Sequence, residues 1–123
     1  MKSKQLPLVS NELSVIAEGV ELNGEFKFSG QTQIYGKIKG SVEGLTNSEI
    51  VLLSSSLLDG DITGESIIIA GCVKGSIKAS KKLKIKPSAR VFGKIEATNL
   101  EIEYGSLVEA EIHMPETQHQ QSV

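Results

Sequence analysis

Apolar and polar residues alternate along most of this chain, in short pieces separated by Gly, Ser and Asn. Three of these pieces read Phe-Lys-Phe at residues 26–28, Leu-Lys-Ile at 83–85 and Leu-Glu-Ile at 100–102. A period of two is typical of β-strands with one buried and one solvated face. The pattern therefore predicts an all-β protein built from many short strands, with no helix between residues 15 and 114.

One short unit recurs along the chain, with an apolar residue first, Gly third and Ile fifth. It reads LDGDI at residues 58–62, VKGSI at 73–77 and VFGKI at 91–95, and a weaker copy, VEAEI, stands at 108–112. The isoleucines of the unit are 15, 18 and 17 residues apart, and they are Ile62, Ile77, Ile95 and Ile112. A second column with spacings of 16 and 17 consists of Ile67, Leu83 and Leu100.

A repeat of about 17 residues that holds three short strands predicts one turn of a parallel β-helix. Apolar columns would stack inside this triangular coil, outward positions would be polar or charged, and the recurring Gly would mark bends. About six turns at ~4.8 Å per layer give a core roughly 25–30 Å long. Towards the N-terminus we expect Val42 to precede Ile62 by 20 residues, with a long corner over residues 45–56 and Phe26 or Phe28 starting the series.

A left-handed hexapeptide coil is the rival fold. It requires an apolar residue at every sixth position, whereas neighbouring apolar residues here stand two apart and the turn length varies. The predicted organisation is a flexible N-terminal tail over 1–14, one β-helix domain over 15–114 and a flexible C-terminal tail over 115–123. Both tails are polar and each contains a proline, Pro7 or Pro115.

Charge is segregated along the sequence although the net charge is only −2. Residues 74–94 carry eight basic residues and no acid, and residues 96–116 carry six acids and no Lys or Arg. A 17-residue turn would set opposite charges on adjacent strands, in the pairs Lys84–Glu101, Lys86–Glu103 and Lys94–Glu111. Such pairs would resist a register slip. The alternative is a basic belt with which a monomeric adaptor binds nucleic acid or acidic protein, but few aromatic side chains interleave it.

The sequence offers no arrangement for catalysis, and we predict no catalytic residues, no cofactor and no metal. No His lies near the single Cys72, and no phosphate-binding loop is present, so no nucleotide is expected. Asp59 and Asp61 flank Gly60 and could imitate an acid pair or metal site, but no third ligand lies nearby, so a solvated strand face is the better reading. A carbohydrate-active or carbohydrate-binding β-helix stays the alternative function.

A β-helix exposes unpaired strand edges and the mouth of its apolar core at both ends. The residues expected at the N-terminal end are Val20, Leu22, Phe26 and Phe28. Those expected at the C-terminal end are Leu100, Ile102, Leu107, Val108 and Ile112. Neither tail has the sequence of a capping helix. We therefore expect the ends to stack on other copies of the chain and to form a filament.

The repeated units resemble those of the bactofilins, which are bacterial polymer-forming cytoskeletal proteins. The resemblance covers residues 15–114 and is carried by IYGKIKG at 34–40, by the units at 58–62, 73–77 and 91–95, and by the closing LEIEYG at 100–105. It implies a right-handed triangular β-helix and nucleotide-independent, non-polar filaments with head-to-head and tail-to-tail contacts. It also implies a scaffold that organises cell shape, cell-wall synthesis or protein localisation, with cell-wall enzymes among the proteins recruited. The N-terminus lacks the apolar run of a signal peptide, so the cytosol is the expected compartment.

Many bactofilins bind the inner membrane through a short N-terminal segment that begins with Met, an aromatic residue and a nearby Lys. This chain keeps Lys but has Lys2 where the aromatic residue would stand. The expected membrane contacts are Met1, Lys2, Lys4, Leu6 and Leu8. The apolar residues would anchor the segment and the two lysines would lie near anionic headgroups, which would place the protein at the inner face of the membrane. The alternative is an N-terminal tail that stays in solution.

Overall fold

The computed structural model describes residues 13–114, which form ten β-strands and no helix. The strands are β1 (Leu13–Ile16), β2 (Glu21–Phe28), β3 (Gln31–Ile34), β4 (Lys37–Gly44), β5 (Glu49–Leu52), β6 (Leu57–Ile69), β7 (Cys72–Ile85), β8 (Arg90–Ala97), β9 (Leu100–Ile102) and β10 (Leu107–His113). Over this range no helix is present that could cross a bilayer. The predicted membrane contacts Met1, Lys2, Lys4, Leu6 and Leu8 lie outside the described residues.

All strand pairings are parallel, and they build a coil of six layers. One stack of strands runs in the order β2, β4, β6, β7, β8 and β10. Each of these strands bends in the middle, so its first half lies on the first side of the coil and its second half on the second side. The third side is the stack of β1, β3, β5, the C-terminal parts of β6 and β7, and β9. The predicted all-β parallel β-helix is confirmed.

The interior consists of aliphatic columns in the predicted register. Ile62 pairs with Ile77, Ile77 with Ile95 and Ile95 with Ile112, and the same column continues back through Val42 to Phe26. On the third side Ile67, Leu83 and Leu100 align as expected. The rungs between the two ends are at most 1% exposed in these columns, so each layer covers the next with apolar surface.

Two predicted boundaries were wrong. The segment 45–56 is not a long corner, because it contains β5, whose Ile50 and Leu52 are fully buried. The outward residue of that strand, Val51, is also apolar, which hides the alternation in the sequence. The N-terminal tail was drawn two residues too long, because β1 begins at Leu13 and pairs with β3. At the other end β10 stops at His113, and the predictions for 1–12 and 115–123 fall outside the described residues.

The recurring glycines form a column at the bend between the first and second sides, as predicted. The column consists of Gly24, Gly40, Gly60, Gly75 and Gly93. Their φ angles lie between +132° and +146°, a region that L side chains rarely adopt. A Cβ on Gly75 would stand 1.8 Å from the Gly60 carbonyl oxygen, so the close stacking of the layers also requires glycine. Ala110 takes the position in the last layer.

Candidate polymerisation interface

The N-terminal end of the coil gathers the four residues predicted there. Leu22, Phe26 and Phe28 are partly buried and pack against the core, as the first rungs of three interior columns. Val20 is 37% exposed, and its carbonyl accepts a hydrogen bond from the Lys37 N–H (2.8 Å), which holds it over the second layer. Their arrangement follows from strand alternation, which sends every second residue of β2 inward.

Sequence reasoning missed Ile16, which is the first rung of a third-side column. Ile16 pairs with the fully buried Ile34 and packs against the core. It was missed because the segment before it is polar and lacks a repeat unit. Its signal was weak, because β1 reads Leu-Ser-Val-Ile and its outward residues Leu13 and Val15 are apolar whereas the inward Ser14 is polar. The N-terminal end therefore presents a ring of apolar side chains on all three sides.

Four of the five residues predicted at the C-terminal end are last rungs of interior columns. Leu100 and Val108 are partly buried, whereas Ile102 and Ile112 are each 44% exposed. Each of the four aligns with a fully buried residue one layer earlier. They are more exposed than those partners because, among the described residues, no further layer covers them. Leu107 does not lie among the end rungs where it was predicted. Its register partner is the exposed Arg90, so Leu107 belongs to an outward column on the first side.

Both ends also leave a row of backbone groups unpaired. In the described part of the chain β1 pairs with β3 alone and β2 with β4 alone, and β9 and β10 likewise have one neighbour each. A strand edge of this kind is a template for pairing with another chain unless something covers it. The ends therefore offer both apolar rungs and hydrogen-bonding edges in the geometry of one more layer.

The charged residues near the C-terminal end are paired along the coil axis. Lys84 Nζ lies 3.9 Å from both Glu101 Oε2 and Glu103 Oε2, and Lys86 Nζ lies 3.4 Å from Glu103 Oε2. The predicted pairs Lys84–Glu101 and Lys86–Glu103 are thus confirmed. Lys94 and Glu111 also share the predicted register, but they form no ion pair within 4 Å. The lysines of the fifth layer reduce the negative charge that the last layer presents at the rim.

In the described part of the chain no group of three or more His, Cys, Asp or Glu side chains could hold a metal ion. Asp61 instead accepts a hydrogen bond from Ser76 Oγ (2.5 Å), one layer further along the coil. Glu65 and Lys81 form an ion pair of 3.5 Å at a corner. These side chains connect adjacent layers of the coil.

The fold and its ends define a class of protein, a parallel β-solenoid whose two apolar ends can accept further layers. The sequence profile of the family described as "Bactofilin: Polymer-forming cytoskeletal" matches residues 14–113. The chain belongs to the bactofilin family. This membership places it among polymer-forming cytoskeletal proteins and favours the scaffold over the carbohydrate-active alternative.

Two relatives illustrate the likeness. Over 101 residues the chain is 29% identical to bactofilin BacO of Myxococcus xanthus (strain DK1622), covering 82% of this chain and 79% of that protein. A cryo-EM reconstruction of Thermus thermophilus bactofilin double helical filaments has a similar structure, with a TM-score of 0.74 and 26% identity. The match covers 83% of this chain and 99% of the solved one. It favours the bactofilin coil over the left-handed hexapeptide coil.

Proposed function

We propose that this protein polymerises by stacking its open ends on other copies, head to head and tail to tail, into nucleotide-independent filaments without polarity. The observation that carries the proposal is the alignment of Leu22, Phe26, Val108 and Ile112 with buried columns. A second subunit would cover those columns with its own end rungs, and its facing strands would run antiparallel because a two-fold axis relates the two copies. Each contact would be isologous, with the same surface on both subunits, as in two-fold assemblies in general.

The energetics favour this contact. Burial of apolar surface contributes about 25 cal/mol per Å², so a few hundred Å² at one end contribute several kcal/mol. At the C-terminal end Ile102, Ile112 and Met114 are each more than 40% exposed and would be covered. The opposing term is repulsion between like glutamates at the rim. Screening by salt and the pairing of Glu101 and Glu103 with lysines keep that repulsion small.

We propose that the filament acts as a structural scaffold and catalyses no reaction itself. Family membership supports this role, and so does the use of the outward charges in contacts between layers. The scaffold would lie in the cytoplasm at the inner face of the membrane, with Met1, Lys2, Lys4, Leu6 and Leu8 in contact with lipid. Enzymes of cell-wall synthesis are the proteins that it would recruit.

The interface is tested by a charge placed on an end rung. In Ile112→Glu the carboxylate would be desolvated at every tail-to-tail contact, so we expect long filaments to be lost by negative-stain electron microscopy. The β-rich circular dichroism spectrum should persist, because among the described residues no layer packs beyond Ile112. Thr63→Glu is the matched control, since it adds the same charge to an exposed outward position in the third layer and should leave filaments intact.

Met114→Glu provides a second variant, since Met114 follows the last strand and is 42% exposed. It should weaken assembly without affecting the fold. Filaments of normal length in both Ile112→Glu and Met114→Glu would refute end-to-end stacking through this surface. A loss of filaments in Thr63→Glu as well would show that the effect is one of added charge and not of the end contact.

A further inference from the structure

One part of the coil surface departs from the expectation that outward positions are polar. On the third side the outward residues of the first four layers are mostly apolar, and Glu49 at the start of β5 is the charged residue among those in the strands. We call five of them the lateral patch, which comprises Val15, Tyr35, Val51, Leu53 and Ile68. Val15 is 51% exposed and the other four are half-buried by their neighbours on the sheet.

Register and burial fix the direction of these side chains. Ile50, Leu52, Ile67 and Ile69 are all buried to 1% exposure or less, so strand alternation sends the residues between them outward. Val51 and Ile68 pair directly, and Val15 stands two layers earlier in the same column, beyond Gln33. The patch is therefore a strip along the side of the coil, from Val15 in the first layer to Ile68 in the fourth, with the polar Gln33 between Val15 and Val51.

The same columns become charged in the last two layers. Ile68 is followed by Lys84 and then Glu101 in register, and the neighbouring column ends with Lys86 and Glu103. The third side thus has an apolar half near the N-terminal end and a band of paired charges near the C-terminal end. On the second side, by contrast, the outward residues of the early layers include Glu25, Lys27 and Glu43.

We infer that the lateral patch is the contact by which two filaments of this protein pair side by side, patch against patch. The inference rests on the proposed end-to-end assembly. The occupant is a second copy because paired filaments need a lateral surface, and the solved relative with a TM-score of 0.74 is described as a double helical filament. The patch extends from the N-terminal end itself, so the lateral contact would be continuous with the proposed head-to-head contact.

The charge distribution favours a like partner. Two copies that meet patch to patch bury apolar surface in both. The Lys and Glu side chains near the C-terminal end are already paired within each copy, and they keep those ion pairs in this arrangement. A displaced pairing would set the patch of one filament against the charged band of the other and desolvate those charges. This cost of a displaced pairing would fix how two filaments align along their length.

Repetition explains why the contact would act between filaments and not between monomers. Five largely half-buried side chains form a surface smaller than a stable dimer interface requires. In a filament every subunit presents the same patch, so once one pair has formed the following contacts are intramolecular and their effects accumulate. Pairing should therefore appear only after end-to-end assembly.

The test is the fraction of paired filament length in cryo-EM images of the full chain and its variants. Wild-type filaments should be paired. Ile68→Glu should form single filaments with an unchanged axial repeat, with at least a tenfold fall in the paired fraction. The fold should tolerate this change, because the new carboxylate would stand beside Lys84 in register. Val51→Glu is the second variant, and Thr63→Glu on the second side is the control that should remain paired.

The outcomes are distinct. If Ile68→Glu and Val51→Glu both stay paired, or if wild-type filaments are single, the inference is wrong while the proposed end-to-end assembly stands. If wild type forms no filaments, both are wrong. A variant that lacks residues 1–11 should still pair. Single filaments from that deletion would show that the N-terminal residues, and not the lateral patch of a second copy, make the contact.

Discussion

At the scale of single residues, the glycine column decides how closely the layers can stack. Gly40, Gly60, Gly75 and Gly93 each lack room for a Cβ, which would meet the carbonyl oxygen of the preceding glycine at 1.8–1.9 Å. Gly24 lies in the first described layer, and the nearest atom to its Cβ position is Phe26 Cζ at 3.9 Å. The column was predictable from the sequence because the glycines recur at the turn spacing.

Gly75→Ala should strongly destabilise the coil. The unfavourable φ of +142° costs about 1–3 kcal/mol, and forcing the layers apart adds about 1–3 kcal/mol of overpacking. Gly105→Ala separates the cost of the backbone conformation from the cost of the steric clash. Gly105 also has a positive φ of +102°, but the nearest atom to its Cβ position is 3.4 Å away, so an added methyl group meets no clash there. We expect Gly75→Ala to lose clearly more free energy of unfolding than Gly105→Ala in urea titrations. Equal losses would contradict the steric role of the column.

Other residue placements could not be predicted. Thr32 is fully buried in the column that continues through Ile50, and with Ser14 it makes the start of that column polar. A polar residue in the sequence gives no signal that its position is buried. Leu107 was assigned to the C-terminal end because it is apolar. In β10 it alternates with the inward-facing Val108, so it faces outward in the same column as Arg90. In both cases the direction of a side chain is set by register with the previous layer, and register in the irregular turns is visible only in three dimensions.

At the scale of strands, the repeat unit made the long, bent strands predictable. The units at 58–62, 73–77 and 91–95 lie within β6, β7 and β8, and their pairing follows the predicted columns. Strands without the unit were harder to find. β1 and β5 were missed because their outward residues include the apolar Val15 and Val51, so neither sequence shows apolar inward residues alternating with polar outward ones.

The ion pairs between β7 and β9 should contribute a small, salt-dependent stability. Lys84 contacts Glu101 and Glu103 and its side chain is 28% exposed, so Lys84→Gln should lower the free energy of unfolding by about 0.5–1 kcal/mol at low salt. The loss should shrink at about 1 M salt, where the Debye length is ~3 Å. Lys94→Gln is the control, because Lys94 lies in register with Glu111 without an ion pair. An equal loss in Lys94→Gln would contradict a specific role for the Lys84 pairs.

At the scale of the whole molecule, the coil is a stack of layers whose first and last layers each have one neighbouring layer among the described residues. The parallel register that joins one layer to the next within the chain leaves β1, β2, β9 and β10 with one neighbour each among the described residues. Four of the five residues predicted at the C-terminal end and all four at the N-terminal end lie where that prediction requires. Their part in polymerisation is the proposal that experiments must decide.

Cryo-EM of the purified chain, assembled without nucleotide, tests the central claim most directly. The account predicts filaments whose strands run across the axis, with ~4.8 Å layers that continue through the subunit junctions. Six layers per subunit give an axial rise of about 29 Å, with two-fold axes at alternating head-to-head and tail-to-tail contacts. A monodisperse monomer at high concentration, or filaments in which the coil ends do not touch, would contradict it.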